Sequence, residues 1–151
     1  MKDRQIILTR LIAASPDKVW RAWTDPALLP TWFGPEGFSC KTKEIDLREG
    51  GQWRFDMIGP DGTVYANRHR FTRMVKAARL EFLLDSDDDA SPQIGVVVEM
   101  VAEMAGTRIT QTMTCPSVAH RDAALAFGAD VLGQTTLAKL EAMAKRLQAA
   151  T

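Results

Sequence analysis

Apolar residues recur every second position through the middle of this chain and every third or fourth position at its end. From Gln52 to Ile58, Trp53, Phe55 and Met57 alternate with Gln52, Arg54 and Asp56, the pattern of a strand with one buried face. The same period predicts strands over Gln5 to Ile12, Ser39 to Asp46, Val64 to Arg73, Arg79 to Leu84, Gln93 to Ala102 and Thr107 to Thr114. Tyr65, Asn67, His69 and Phe71 then share a face, as do Leu80, Phe82 and Leu84. Gly50-Gly51, Gly59-Pro60-Asp61-Gly62 and Ala105-Gly106 read as turns, and the last sets Val96, Val98 and Met100 opposite Ile109, Gln111 and Met113.

The period is helical from Ala119 to Gln148, where Leu125, Leu132, Thr136, Leu140, Met143 and Leu147 fall on one stripe. About thirty residues at 1.5 Å each predict a continuous rod of roughly 45 Å. Its first half is small (Ala126, Ala129, Gly133) and its second bulky (Leu137, Leu140, Met143, Leu147). Small residues permit either close helix-on-sheet contact or a cavity. Phe127 and Val131 fall outside the stripe, where they would pack on an aromatic loop or on a second copy of the chain, a possible homodimer.

Two short helices are expected after the first strand. Ser15-Pro16-Asp17 reads as a helix start with Ser15 as N-cap, and the helix carries Val19, Trp20 and Trp23 as far as Thr24. Asp25-Pro26 restarts a short helix that ends at Pro30 or shortly after. Trp32-Phe33-Gly34-Pro35-Glu36-Gly37-Phe38 then reads as a loop whose aromatics fold over apolar surface, as a pocket lid or as a plug at the core edge. Strand, two helices, six strands and a long helix predict an α+β domain spanning 1–151. In it a curved antiparallel sheet grips the final helix in its concave face.

Several stretches carry a family resemblance: Ala14-Ser15-Pro16-Asp17-Lys18-Val19-Trp20-Arg21-Ala22-Trp23-Thr24-Asp25-Pro26, Trp32-Phe33-Gly34-Pro35, Asp46-Leu47-Arg48-Glu49-Gly50-Gly51-Gln52-Trp53-Arg54-Phe55 and Gly59-Pro60-Asp61-Gly62. With the order of elements, they resemble the helix-grip fold of the START and Bet v-type (SRPBCC) superfamily. The similar branch is that of the activator of the heat-shock protein 90 ATPase. The resemblance implies a hydrophobic cavity between sheet and helix; superfamily members include lipid carriers, cyclases and receptors, so it does not by itself assign an activity. Relatives usually carry Gly near the position of His69, a Gly-Trp pair near Leu132-Gly133, and a Pro-Pro-Glu-Arg-type turn at Lys76-Ala77-Ala78-Arg79. Loss of that tryptophan would leave space under the helix, which the His69 ring either takes up in part or refills without a net void.

Charge points to no particular partner. Lys plus Arg equals Asp plus Glu at 19 each, so no global charge favours nucleic acid. No run approaches the roughly 20 apolar residues of a membrane span, and the charged start at Lys2 to Arg4 does not resemble a secretory signal, so a cytoplasmic location is expected. Cys40 and Cys115 lack metal-ligand spacing and read as reduced thiols. Asp85-Ser86-Asp87-Asp88-Asp89 reads as a solvated loop, and His120 as a surface residue.

No nucleophile with a base, phosphate loop or zinc spacing is apparent, and no cofactor is expected. The expected function is binding of a hydrophobic small molecule by Trp32, Phe33, Trp53, Phe55, Met57, Tyr65, His69, Phe82, Val98, Met100, Ile109, Gln111, Met113 and Gly133. One alternative is a cyclase- or hydratase-like enzyme with His69 as acid or base. The other is a chaperone-associated module, which the resemblance implies. These 151 residues lack the additional N-terminal domain of that family's eukaryotic members, so a chaperone partner is not the favoured expectation.

Overall fold

A computed structural model describes residues 2–150. Seven strands form one antiparallel sheet: β1 (Gln5–Ile12), β2 (Ser39–Ile45), β3 (Gln52–Ile58), β4 (Val64–Val75), β5 (Arg79–Asp85), β6 (Ile94–Glu103) and β7 (Gly106–Thr114). Their spatial order is β1-β7-β6-β5-β4-β3-β2. Val96, Val98 and Met100 pair with Met113, Gln111 and Ile109. Bulges between Thr42 and Glu44 and between Phe71 and Arg73 interrupt the ladders, a device that increases bending and twist.

The β6–β7 turn is made by Met104 and Ala105, not by Ala105-Gly106. Both turn residues have positive φ, 50° and 64°, which suits the right-handed twist of the flanking strands. Gly106 is the first strand residue, and it is required there because a Cβ would collide with the Ile12 carbonyl.

α1 (Pro16–Thr24) starts with proline in its first turn, as the Ser-Pro-Asp sequence predicts. Ser15 holds the N-cap position, but its hydroxyl caps nothing; its N–H donates instead to Gln148 Oε1 at 3.0 Å, which ties the start of α1 to the far end of the chain. α2 begins at Leu29 rather than at Pro26 and ends at Trp32. Residues 25–28 form a turn in which the Ala27 N–H donates to Asp25 Oδ1. Pro30 therefore lies in the first turn of α2, where its missing N–H costs nothing, and does not terminate it.

The C-terminal helix is not one rod. Gly128, at φ 95°, ends α3 (Val118–Phe127), and α4 (Ala129–Ala149) begins at once. The Gly128 N–H donates back to the Ala124 and Leu125 carbonyls, a left-handed cap that β-carbon-bearing residues adopt at a cost. α3 buries no residue, whereas α4 buries Leu137, Leu140, Met143 and Ala144. Each large side chain among them contributes about 1.5–3 kcal/mol by leaving water. Glu141 pins α4 to β1 and the segment after it: Arg10 Nε and the Ala13 N–H donate to its two oxygens at 2.9 and 3.0 Å.

The acidic run is not simply a solvated loop. Arg68 donates to both oxygens of Asp85 at 3.0 and 2.8 Å, Arg70 adds a third contact at 3.2 Å, and the Asp85 side chain has no exposed surface. Arg54 grips Asp87 in the same bidentate way. Burial alone would raise the Asp85 carboxyl, but hydrogen bonds from Arg68 and the Asp87 N–H leave it below its ordinary value. These arginines alternate with Phe55, His69 and Phe71 along β3 and β4, so the ion pairs cover the sheet face away from the core.

Candidate functional site

Between the aromatic loop, the sheet and the α3–α4 junction lies a cavity of about 370 Å³. Met57 (β3), Tyr65 and Asn67 (β4), Leu84 (β5) and Gln111 and Met113 (β7) form its sheet wall. Phe33, Gly34, Pro35 and Phe38 close one side, and Phe127, Ala129, Leu132, Gly133 and Thr136 the other. Strand alternation aims the sheet residues at the helix, and the small residues at the start of α4 leave the space that a bulky stripe would fill.

Of the residues expected to line a cavity, Phe33, Met57, Tyr65, Gln111, Met113 and Gly133 do so. Trp32, Trp53, Phe55, His69, Phe82, Val98, Met100 and Ile109 are instead buried core residues. Phe33 divides the two groups. Its ring sets an edge or face against Trp53, Phe55 and His69 at centroid distances of 5.5, 6.0 and 5.0 Å, so those rings lie on the core side of it. Trp32 plugs the core edge, with its indole N–H donating to the Ala22 carbonyl at 2.9 Å. The aromatic stretch is thus plug and cavity wall at once, through different residues.

His69 is fully enclosed. It stacks on Phe82 at 4.3 Å, meets Trp53 and Phe55 edge-on, and neither ring nitrogen has a hydrogen-bond partner. Burial lowers its pKa to about 3, against a smaller opposing pull from Asp85 on the far face of the sheet. A neutral ring without access to solvent or to the cavity has no route for proton exchange with a bound molecule. His120 is half-buried rather than a free surface residue, and its backbone N–H donates to Ser117 Oγ, the N-cap of α3.

The aromatic loop is tethered to α4. The Lys139 ammonium donates to the Gly34, Pro35 and Phe38 carbonyls at 3.1, 3.4 and 3.5 Å, and the Glu36 N–H donates to Thr135 Oγ1 at 3.0 Å. Desolvation lowers the Lys139 pKa. Beneath the loop, the Cys40 thiol donates to the Phe33 carbonyl at 3.3 Å, and burial pushes its pKa up to about 12. Gly133 serves both readings of the small stripe. It borders the cavity, and a Cβ there would collide with Leu8 Cδ1, so it also lets α4 approach β1.

Sequence reasoning missed Gly34, Pro35, Phe38, Asn67, Leu84, Phe127, Leu132 and Thr136 as lining residues. Leu132 and Thr136 were on the predicted stripe, and Asn67 and Leu84 on predicted concave faces, so a signal existed for those four. Phe127, expected to pack on an aromatic loop or a second copy, comes to the rim of the cavity through the break at Gly128 and remains 74% exposed. Val131, 68% exposed, stays outside the cavity.

Residues 13–145 match the family described as Activator of Hsp90 ATPase homolog 1-like protein. The chain belongs to that family. Among solved structures, a protein from Nitrosomonas europaea is 28% identical, with a TM-score of 0.86 over 99% of both chains. One from Chromobacterium violaceum is 26% identical, with a TM-score of 0.79 over 92% of this chain and 96% of the other. The AHSA1 protein from Silicibacter pomeroyi shares the fold at 22% identity and a TM-score of 0.73, covering 91% of this chain and 95% of its own. No curated protein matches the chain. No helix among the described residues is long and apolar enough to cross a membrane, and no group of three or more His, Cys, Asp or Glu residues there could hold a metal ion.

Proposed function

We propose that this family member binds a hydrophobic small molecule between its aromatic loop and the α3–α4 junction. The observation that carries the reading is the 370 Å³ cavity with walls of Phe33, Met57, Met113 and Leu132, in a fold that generally binds hydrophobic ligands. Cavities of this size and apolar character are typical of small-molecule sites. Enclosing a few hundred Å² of ligand at about 25 cal/mol per Å² gives several kcal/mol before the entropy of association is subtracted.

The test is thermal unfolding with a panel of lipids, polyketides and aromatic compounds, on the wild type and on Leu132→Trp, whose indole fills the space. A ligand at a hundred times its Kd stabilises by about 2.7 kcal/mol, which raises Tm by roughly 5–10 °C in a chain of this length. The expected result is such a shift in the wild type and its loss in Leu132→Trp. No shift with any compound, or equal shifts in both proteins, would refute the reading.

A further inference from the structure

The lining of the cavity holds no Asp, Glu, Lys, Arg or His among the described residues. Its polar side chains are Tyr65, which is 44% exposed, and Asn67, Gln111 and Thr136; Asn67 Nδ2 donates to the Tyr65 carbonyl at 3.0 Å, and the Thr136 hydroxyl to the Leu132 carbonyl at 3.4 Å. Gln111 differs. It projects from the middle of β7, flanked by Leu8 of β1 and Val98 of β6, and its carboxamide has no hydrogen bond to any described residue. A half-buried amide facing an apolar hollow is a donor and an acceptor awaiting a partner. The nearby Lys139 ammonium offers no hydrogen bond into the cavity, because its donors are directed at the Gly34, Pro35 and Phe38 carbonyls.

We propose that the cavity selects an uncharged apolar molecule carrying a single hydrogen-bonding function, such as a ketone, amide or phenol, which meets the side-chain amide of Gln111. The inference rests on the cavity reading above and narrows it. An anion entering this space would lose hydration and find no cationic side chain in the lining to pair with, so carboxylates and phosphates are disfavoured. Size sharpens the class further: the volume of about 370 Å³ suits a compact two- or three-ring molecule.

The experiment is isothermal titration calorimetry at pH 7.5 with three molecules of nearly equal shape: 2-acetonaphthone, 2-ethylnaphthalene and 2-naphthoate. They are titrated into the wild type, Gln111→Leu and Leu132→Trp, with far-UV circular dichroism confirming that each variant is folded. The expected result is binding of the ketone and the hydrocarbon, with naphthoate at least tenfold weaker than the ketone. Gln111→Leu should weaken the ketone about tenfold and change the hydrocarbon less than threefold. Naphthoate binding within tenfold of the ketone, abolished by Leu132→Trp, would overturn the charge selection and leave the cavity reading standing. Equal effects of Gln111→Leu on ketone and hydrocarbon would overturn the role of Gln111. Failure of both neutral compounds to bind the wild type would overturn this inference, and if the wider panel also gave no thermal shift the cavity reading would fall with it.

Discussion

Replacing His69 with leucine should stabilise this protein and remove part of its sensitivity to acid. The imidazole is 0% exposed, sits among Phe33, Trp53, Phe55 and Phe82, and leaves both ring nitrogens without a partner. An unmade buried hydrogen bond costs about 1–3 kcal/mol, so an apolar side chain of similar volume is favoured at neutral pH by about that amount. The acid effect has a definite sign. The folded-state pKa of about 3 lies below the unfolded value of 6.5, so as pH falls the unfolded chain takes up the proton first. Stability attributable to His69 is therefore intact above about pH 6.5 and is lost progressively towards pH 3. At pH 5 the unfolded state gains RT ln(1 + 10^1.5), about 2 kcal/mol. Urea unfolding of wild type and His69→Leu at pH 7.5 and pH 5.0 measures this directly, since all other titrating groups are shared and cancel. The advantage of His69→Leu should grow by about 2 kcal/mol between the two conditions. A change below about 0.5 kcal/mol would mean that the ring is hydrated or hydrogen-bonded, and the account of the aromatic core would be wrong.

Three further outcomes are expected. Gly128→Ala forces a β-carbon into φ 95° at the α3–α4 break and should cost about 1 kcal/mol or more by chemical denaturation; an unchanged midpoint would mean the two helices are not held in this geometry. Lys139→Met removes the donors to the Gly34, Pro35 and Phe38 carbonyls, so stability should fall by about 1 kcal/mol and proteolysis within residues 34–38 should accelerate. Equal cleavage rates would refute the tether. Cys40, with its thiol pushed up to about 12, and Cys115, also raised by burial, should react with a disulfide reagent at pH 8 only after unfolding; rapid labelling of either in the native protein would contradict their packing.

Where an element depends on local pattern, the sequence discloses it. Trp53 and Phe55 alternate with Gln52 and Arg54, and the strand lies where that alternation lies, with the aromatics at 0% exposure. The Gly128 break is different. Apolar spacing continues on both sides of it, and one glycine costs a helix only about 1 kcal/mol, so the pattern alone does not demand an interruption. Asp85 misleads for a related reason: a run of acids reads as solvated until the pairing of β4 with β5 sets Arg68 directly beside it. The site was half legible. Alternation identifies which residues face the concave side, and Met57, Tyr65, Gln111 and Met113 were readable that way. Which of those residues see the cavity rather than the core depends on where the Phe33 ring comes to rest. That is a long-range packing outcome with no periodic signature.

The most direct test of the cavity reading is a crystal soaked with 2-acetonaphthone. Density for the naphthalene rings is expected between Met57, Met113 and Leu132, with the carbonyl oxygen within hydrogen-bonding distance of the Gln111 amide. A cavity closed by its own side chains, with Phe127 or Met113 occupying the space and no ligand density, would contradict it.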